Sequence, residues 1–84
     1  MEVKFQLFEP PSGNVRGLVN AFVQLKGKSV RIANATLFTD AEPDIVLSVP
    51  KRLSIEGTEA VTRGLAAFTE KVRSLAIDSI TANA

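Results

Sequence analysis

The reactive side chains of this 84-residue sequence are carboxylates, cations and hydroxyls, because it contains no His and no Cys. Without imidazole there is no His general base, no Ser-His-Asp triad and no usual transition-metal ligand. Without thiols there is no Cys nucleophile, no thiolate zinc site and no disulfide. Three carboxylates fall at alternate positions, Asp40, Glu42 and Asp44, and such an arrangement in a loop can converge on a hard cation. The stretch lacks the Gly, the later Glu and the length of an EF-hand loop, so it reads as a solvated turn. Carboxylate pairs for glycoside or acyl chemistry need a cleft, which a short chain with one helix rarely encloses. Gly13, Gly17 and Gly27 match neither the phosphate-loop nor the dinucleotide-binding spacing. We therefore expect no catalysis, no cofactor and no bound metal.

The cations are more informative, by position. Arg16 lies early in the second strand-like run, Lys26 and Lys28 flank Gly27, Arg31 follows shortly after, and Lys51-Arg52 closes the fourth run. Cations at hairpin tips and strand ends can neutralise phosphates, each contact adding affinity by counterion release. Lys51, Arg52, Lys26, Lys28 and Arg31 are accordingly the expected phosphate contacts, for DNA or RNA. No Asn or Gln is grouped with them in a way that suggests an adenine-reading pair, so the expected mechanism is electrostatic positioning. The net charge is only +1, from ten Lys plus Arg against nine Asp plus Glu. A competing reading follows from that balance: a protein-interaction or assembly module whose charges keep edge strands apart and the chain soluble. Five Phe with no Trp or Tyr leave little for stacking on bases. Phe5, Phe22, Phe38 and Phe68 read as core or interface residues, and only Phe8 and Phe22 are placed to be exposed beside cations.

The elements that position these residues change character near Gly57. Before it, short Val, Ile, Leu and Phe runs are broken by Pro, Gly, Asn and Asp, which is strand punctuation. Val3, Phe5 and Leu7 alternate with polar neighbours and predict a strand that stops at Pro10-Pro11. Val15 to Leu25 predicts a second, with Val15, Val19, Ala21, Val23 and Leu25 on one face and Leu18 and Phe22 interrupting the other. Lys26-Gly27-Lys28 predicts a tight hairpin with Gly27 at positive φ. Ser29 to Thr39 is the third strand, with Val30, Ile32, Thr36 and Phe38 on one face and Ala33, Ala35 and Leu37 on the other. Ile45, Leu47 and Val49, closed by Pro50, make the fourth.

After Gly57 the apolar period becomes about 3.6 residues. A helix is predicted from Thr58, whose hydroxyl would cap it, for about 21 residues or roughly 30 Å. Val61, Leu65, Phe68, Val72 and Leu75 form a single seam along it. The expected fold is α+β: a four-stranded antiparallel meander with the C-terminal helix packed on it by that seam.

With 45% hydrophobic residues, residues 1–80 read as a single domain and 81–84 as a flexible tail. A core this small is marginal alone, and with disulfides and metals excluded self-association remains as the stabiliser. We expect a homodimer that hides Leu18 or Phe22. No apolar run approaches the ~18 residues of a membrane span and the N-terminus has no h-region. A membrane partner is therefore not expected, and the cytoplasm is the default compartment.

The opening Met1-Glu2-Val3, the long hairpin around Lys26-Gly27-Lys28, the Val30-Arg31-Ile32 strand and the run Ile45-Val46-Leu47-Ser48-Val49-Pro50-Lys51-Arg52 together resemble the SpoVG family of small bacterial DNA-binding regulators. In that family a strand ends in a Met-Pro-Ser-Lys-Arg type motif ahead of a C-terminal helix; here it is Val49-Pro50-Lys51-Arg52, without the Ser. The resemblance implies sheet-and-helix protomers that dimerise through strands, with a DNA-binding surface built from cations near the sheet's end and the helix. Only Lys51 and Arg52 fall on the matching motif.

Overall fold

In sequence order the chain forms β1 (Glu2–Ser12), β2 (Val15–Leu25), β3 (Lys28–Phe38), β4 (Asp44–Leu47) and α1 (Ile55–Asn83). The computed structural model describes residues 2–83, with side chains as far as Leu75. All three strand pairings are antiparallel and the sheet order is β1-β2-β3-β4, so the fold is the α+β meander expected from sequence. The tail expected at 81–84 has its side chains outside the described residues.

Helix α1 covers one face of the sheet. Val61, Phe68, Val72 and Leu75 of its seam are buried against Val19, Ala21 and Val23 of β2 and Ile32, Ala33, Ala35 and Leu37 of β3, with Leu65 partly buried beside them. Each fully buried Val, Leu, Ile or Phe among them stabilises the fold by roughly 1.5–3 kcal/mol, which is why the seam is the strongest pattern in the sequence. The helix rests on β1, β2 and β3, and among the described residues it makes no contact with β4.

Several boundaries differ from expectation, each for a local reason. β1 continues through Pro10 and Pro11 to Ser12, its register slipping between Leu7 and Ser12. It is an edge strand, where a missing N–H can face solvent at no cost to the ladder. β3 carries a bulge: Ala21 pairs with Ala33 but Phe22 pairs with Arg31, leaving Ile32 as the extra residue. Ile32 and Ala33 are therefore both buried under the helix, and the face division expected for β3 is overturned, since a bulge resets the alternation. β4 ends at Leu47, so Val49 lies beyond it.

The helix begins at Ile55 rather than at Thr58. Its cap is Ser54, whose Oγ accepts from Gly57 N–H at 3.0 Å, the bond that satisfies an otherwise orphaned donor of the first turn. The Thr58 hydroxyl instead donates back to Ser54 O at 2.9 Å. Gly57 is not a boundary but a buried first-turn residue, where a Cβ would stand 3.4 Å from Leu25 Cδ2. The start of the helix packs there against the end of β2. Phe5, expected in the core or at an interface, is 49% exposed on the helix side of the edge strand.

Candidate nucleic-acid interface

A meander places alternate connections at the same end. The β2–β3 hairpin, the residues after β4 and the start of α1 thus share one end of the molecule, while the β1–β2 turn and the Asp40–Pro43 turn share the other. The hairpin tip is a two-residue loop in which both Lys26 (φ 52°) and Gly27 (φ 77°) have positive φ, the geometry that matches the twist of the flanking strands. Positive φ was expected at Gly27 alone.

The five cations expected to contact phosphate gather toward the hairpin end. Lys26 and Arg52 line a single cleft of ≈ 430 Å³ together with Leu25, Pro50, Leu53 and Ser54. Lys51 adjoins Arg52, and Lys28 opens β3 directly across the two-residue loop. Arg31 is exposed on the sheet face away from the helix, paired in register with Phe22, about 10 Å up the strand from Lys28. The amino end of α1 adds the partial positive charge of its unbonded N–H groups. Glu56, which also lines the cleft, is the opposing charge.

The remaining cations are engaged elsewhere. Lys4 pairs with Glu2 at 3.5 Å, Arg63 with Glu59 at 3.6 Å and Arg73 with Glu70 at 3.5 Å. Lys71 Nζ sits over the Phe5 ring, and Arg16 donates to the Leu75 carbonyl oxygen at 3.2 Å. Arg16 occupies the irregular step of β2 between Val15 and Gly17, which turns it toward the helix and away from the cationic end. Among the described residues, the cations without an ion pair, a ring partner or a side-chain hydrogen bond are therefore Lys26, Lys28, Arg31, Lys51 and Arg52.

Sequence reasoning missed what lies beside Arg31. The register sets Asn20 directly opposite Asn34 and Phe22 opposite Arg31, and Lys4 Nζ lies 5.6 Å from the centre of the Phe22 ring. Two carboxamides, an aromatic ring and two cations thus share the uncovered face. Only the strand register could have revealed this, because Asn20 and Asn34 are far apart in the chain. Phe8, Phe22 and Phe38 are half-buried and Phe68 is buried.

The opposite end is different in kind. A cleft of ≈ 670 Å³ there is floored by Leu37, Val72 and Leu75 and rimmed by Asp40 and Glu42, and it includes none of the five cations. Asp40, Glu42 and Asp44 are all exposed, and among the described residues no three carboxylates converge as metal ligands do. No helix among the described residues is long and apolar enough to cross a membrane.

No family model, curated protein or solved structure matches the chain.

Proposed function

We propose that this chain is a small nucleic-acid-binding regulatory or accessory protein that acts as a homodimer and holds its ligand by the phosphate backbone. The observation that carries the reading is the gathering of Lys26, Lys28, Lys51 and Arg52, with Arg31 nearby, at one end of the fold and without carboxylate partners among the described residues. Three other cations on this chain have a carboxylate within 4 Å, and these do not. Unpaired cations beside a helix amino end are suited to phosphate oxygens.

The hairpin tip supports the same reading. Lys26 holds a left-handed backbone, which costs a side-chain-bearing residue roughly 1–2 kcal/mol and which Gly or Asn would occupy more cheaply. A strained residue that projects a cation is more readily explained by what the cation does than by the turn itself. The resemblance to the SpoVG family, carried at Lys51 and Arg52, agrees in placing the contact at the end of the sheet.

The test is a titration against short single- and double-stranded oligonucleotides at low and moderate salt. Binding should weaken steeply with salt, with a log–log slope of about −4 on duplex for four or five phosphate contacts. Absence of any complex at low salt ends the proposal. The competing reading, a protein-interaction or assembly module without nucleic acid, is favoured by a different observation: Ile45, Val46 and Leu47 of β4 are all at least half exposed.

A further inference from the structure

The sheet has one face under the helix and one that is open. Across the middle of the open face the register lines up Lys4, Asn20, Asn34 and Val46, one residue from each strand. The next row toward the hairpin sets Phe22 between Glu2 and Arg31, about 7 Å along β2. Among the described residues neither Asn20 nor Asn34 makes a side-chain hydrogen bond, although residues opposite each other have Cβ atoms only about 4.5–5.5 Å apart. Each half-buried carboxamide thus keeps a donor and an acceptor for a ligand. Beside them the half-buried Phe22 ring has Lys4 Nζ 5.6 Å from its centre, on a side chain that is 64% exposed and so free to move aside.

We infer that this open face takes the unpaired bases of a single-stranded nucleic acid, with Phe22 stacking on a base and Asn20 and Asn34 hydrogen-bonding to base edges beside it. The inference rests on the phosphate-binding reading above and names its ligand. Arg31 belongs to both, because it stands next to Phe22 and lies along β3 from Lys28 at the hairpin tip. A strand whose phosphates follow Lys28 and Arg31 lays its bases over these two rows. The grouping of amides with cations that the linear sequence lacks is made by the sheet register.

Shape selects a single strand over a duplex. At about 4.8 Å per strand the row from Lys4 to Val46 is roughly 14 Å across, whereas the major groove is about 12 Å wide and admits a helix or a two-stranded ribbon. The carboxamides lie on the two inner strands, so base edges inside a duplex do not reach them. Unstacked bases do, and every base has a flat face for an aromatic ring. Polarity selects nucleic acid over a second copy of the chain. Leu18 is only 37% exposed, and it and Phe22 have Lys4, Gln6, Asn20, Arg31 and Asn34 around them, whereas the centre of a protein interface is depleted of charge. The carboxylates of this face, Glu2, which pairs with Lys4 at 3.5 Å, and Asp44, opposite Thr36, are on the outer strands and leave its centre clear.

The chain has no Trp, which makes the test direct: Phe22→Trp places a sole indole on the open face. Its emission should be quenched by a short single strand as base and indole stack, and should not respond to a duplex or to an abasic strand of equal length and charge. Run with DNA and with RNA of one sequence, the tighter arm identifies the sugar. The unmodified protein should bind the base-bearing strand about 10- to 100-fold more tightly than the abasic one. Phe22→Leu should remove most of that ratio and Asn20→Ala with Asn34→Ala should reduce it, while affinity for the abasic strand and its salt slope stay unchanged. Equal affinity of the unmodified protein for base-bearing and abasic strands overturns the inference. So does emission of the Phe22→Trp variant that neither DNA nor RNA single strands move, or that shifts with protein concentration alone, which assigns the face to a second copy. Circular dichroism identifies any variant that has lost its fold, and the abasic comparison on the unmodified protein then decides. Binding to duplex and abasic strand with no gain from bases leaves phosphate binding standing and removes only this inference, whereas no complex with any of them removes both.

Discussion

Lys71 Nζ lies 4.0 Å from the centre of the Phe5 ring, joining the helix to the edge strand at the one place where that strand's large apolar side chain would otherwise face water. Phe5 sits on the helix side of the sheet, opposite Val19 in register, yet beyond the reach of the Val61–Leu75 seam. The ammonium and its alkyl stem close the gap, and a cation over an aromatic face contributes about 0.5–1 kcal/mol at an exposed site. Lys71→Met keeps the stem and removes the charge. It should lower stability in urea unfolding by about that amount, and in a double-mutant cycle with Phe5→Leu the two losses should not add. Additive losses would mean that the ring and the ammonium are neighbours without being partners.

Gly17 is where β1, β2 and the bulged step meet. A Cβ there would run into the Gln6 carbonyl oxygen and stand 3.0 Å from Leu7 Cδ2. The backbone obstacle cannot swing aside as a side chain can. Gly17→Ala should therefore destabilise the domain by about 1–3 kcal/mol, the usual penalty of overpacking. Equilibrium denaturation measures it, and a cost below a few tenths would show that the strands part more easily than the packing implies.

The helix illustrates how much was legible in the sequence and where legibility stopped. The Val61, Leu65, Phe68, Val72 and Leu75 seam is periodic and long, so the helix and its buried face could be read directly, as could the strand order. Its beginning could not. Ile55 is 82% exposed and Gly57 resembles a breaker, so the true cap, Ser54, carries no apolar periodicity beside it. Ser54→Ala should cost about 1 kcal/mol, because Gly57 N–H loses its acceptor. Thr58→Ala should cost distinctly less, since its hydroxyl only donates to an exposed carbonyl. If the two rank the other way in thermal unfolding, the helix starts where the sequence suggested. The Ile32 bulge was equally hidden, because two adjacent buried residues in a strand look like a broken alternation until the partner strand supplies the register. The candidate site divides similarly. The positions of Lys26, Lys28, Lys51 and Arg52 at a hairpin tip and a strand end were visible, but Arg16 turning inward at a bulge and Asn20 meeting Asn34 were not.

Lys26 allows stability and binding to be moved in opposite directions. Replacing it with Asn relieves the left-handed strain and should raise stability by roughly 1 kcal/mol. The same substitution removes one cation from the cleft it shares with Arg52, so oligonucleotide affinity should fall. A variant that is both stabler and binds as well as the parent would show that the tip holds Lys26 for no phosphate-related reason.

The cationic end and the helix surface make different electrostatic predictions. If Lys26, Lys28, Lys51 and Arg52 each neutralise a phosphate, then replacing any one with Ala should flatten the log–log salt slope on duplex DNA by about one, and the losses should accumulate. Arg63 and Arg73 carry the same charge but are paired with Glu59 and Glu70 on the exposed helix. Substituting them should leave the slope unchanged, since binding there would have to break an existing pair first. The comparison holds net charge constant between the two sets, so a uniform response would point to a diffuse attraction of the whole molecule for a polyanion. Only a slope that follows the first set and ignores the second locates the phosphates at the hairpin end.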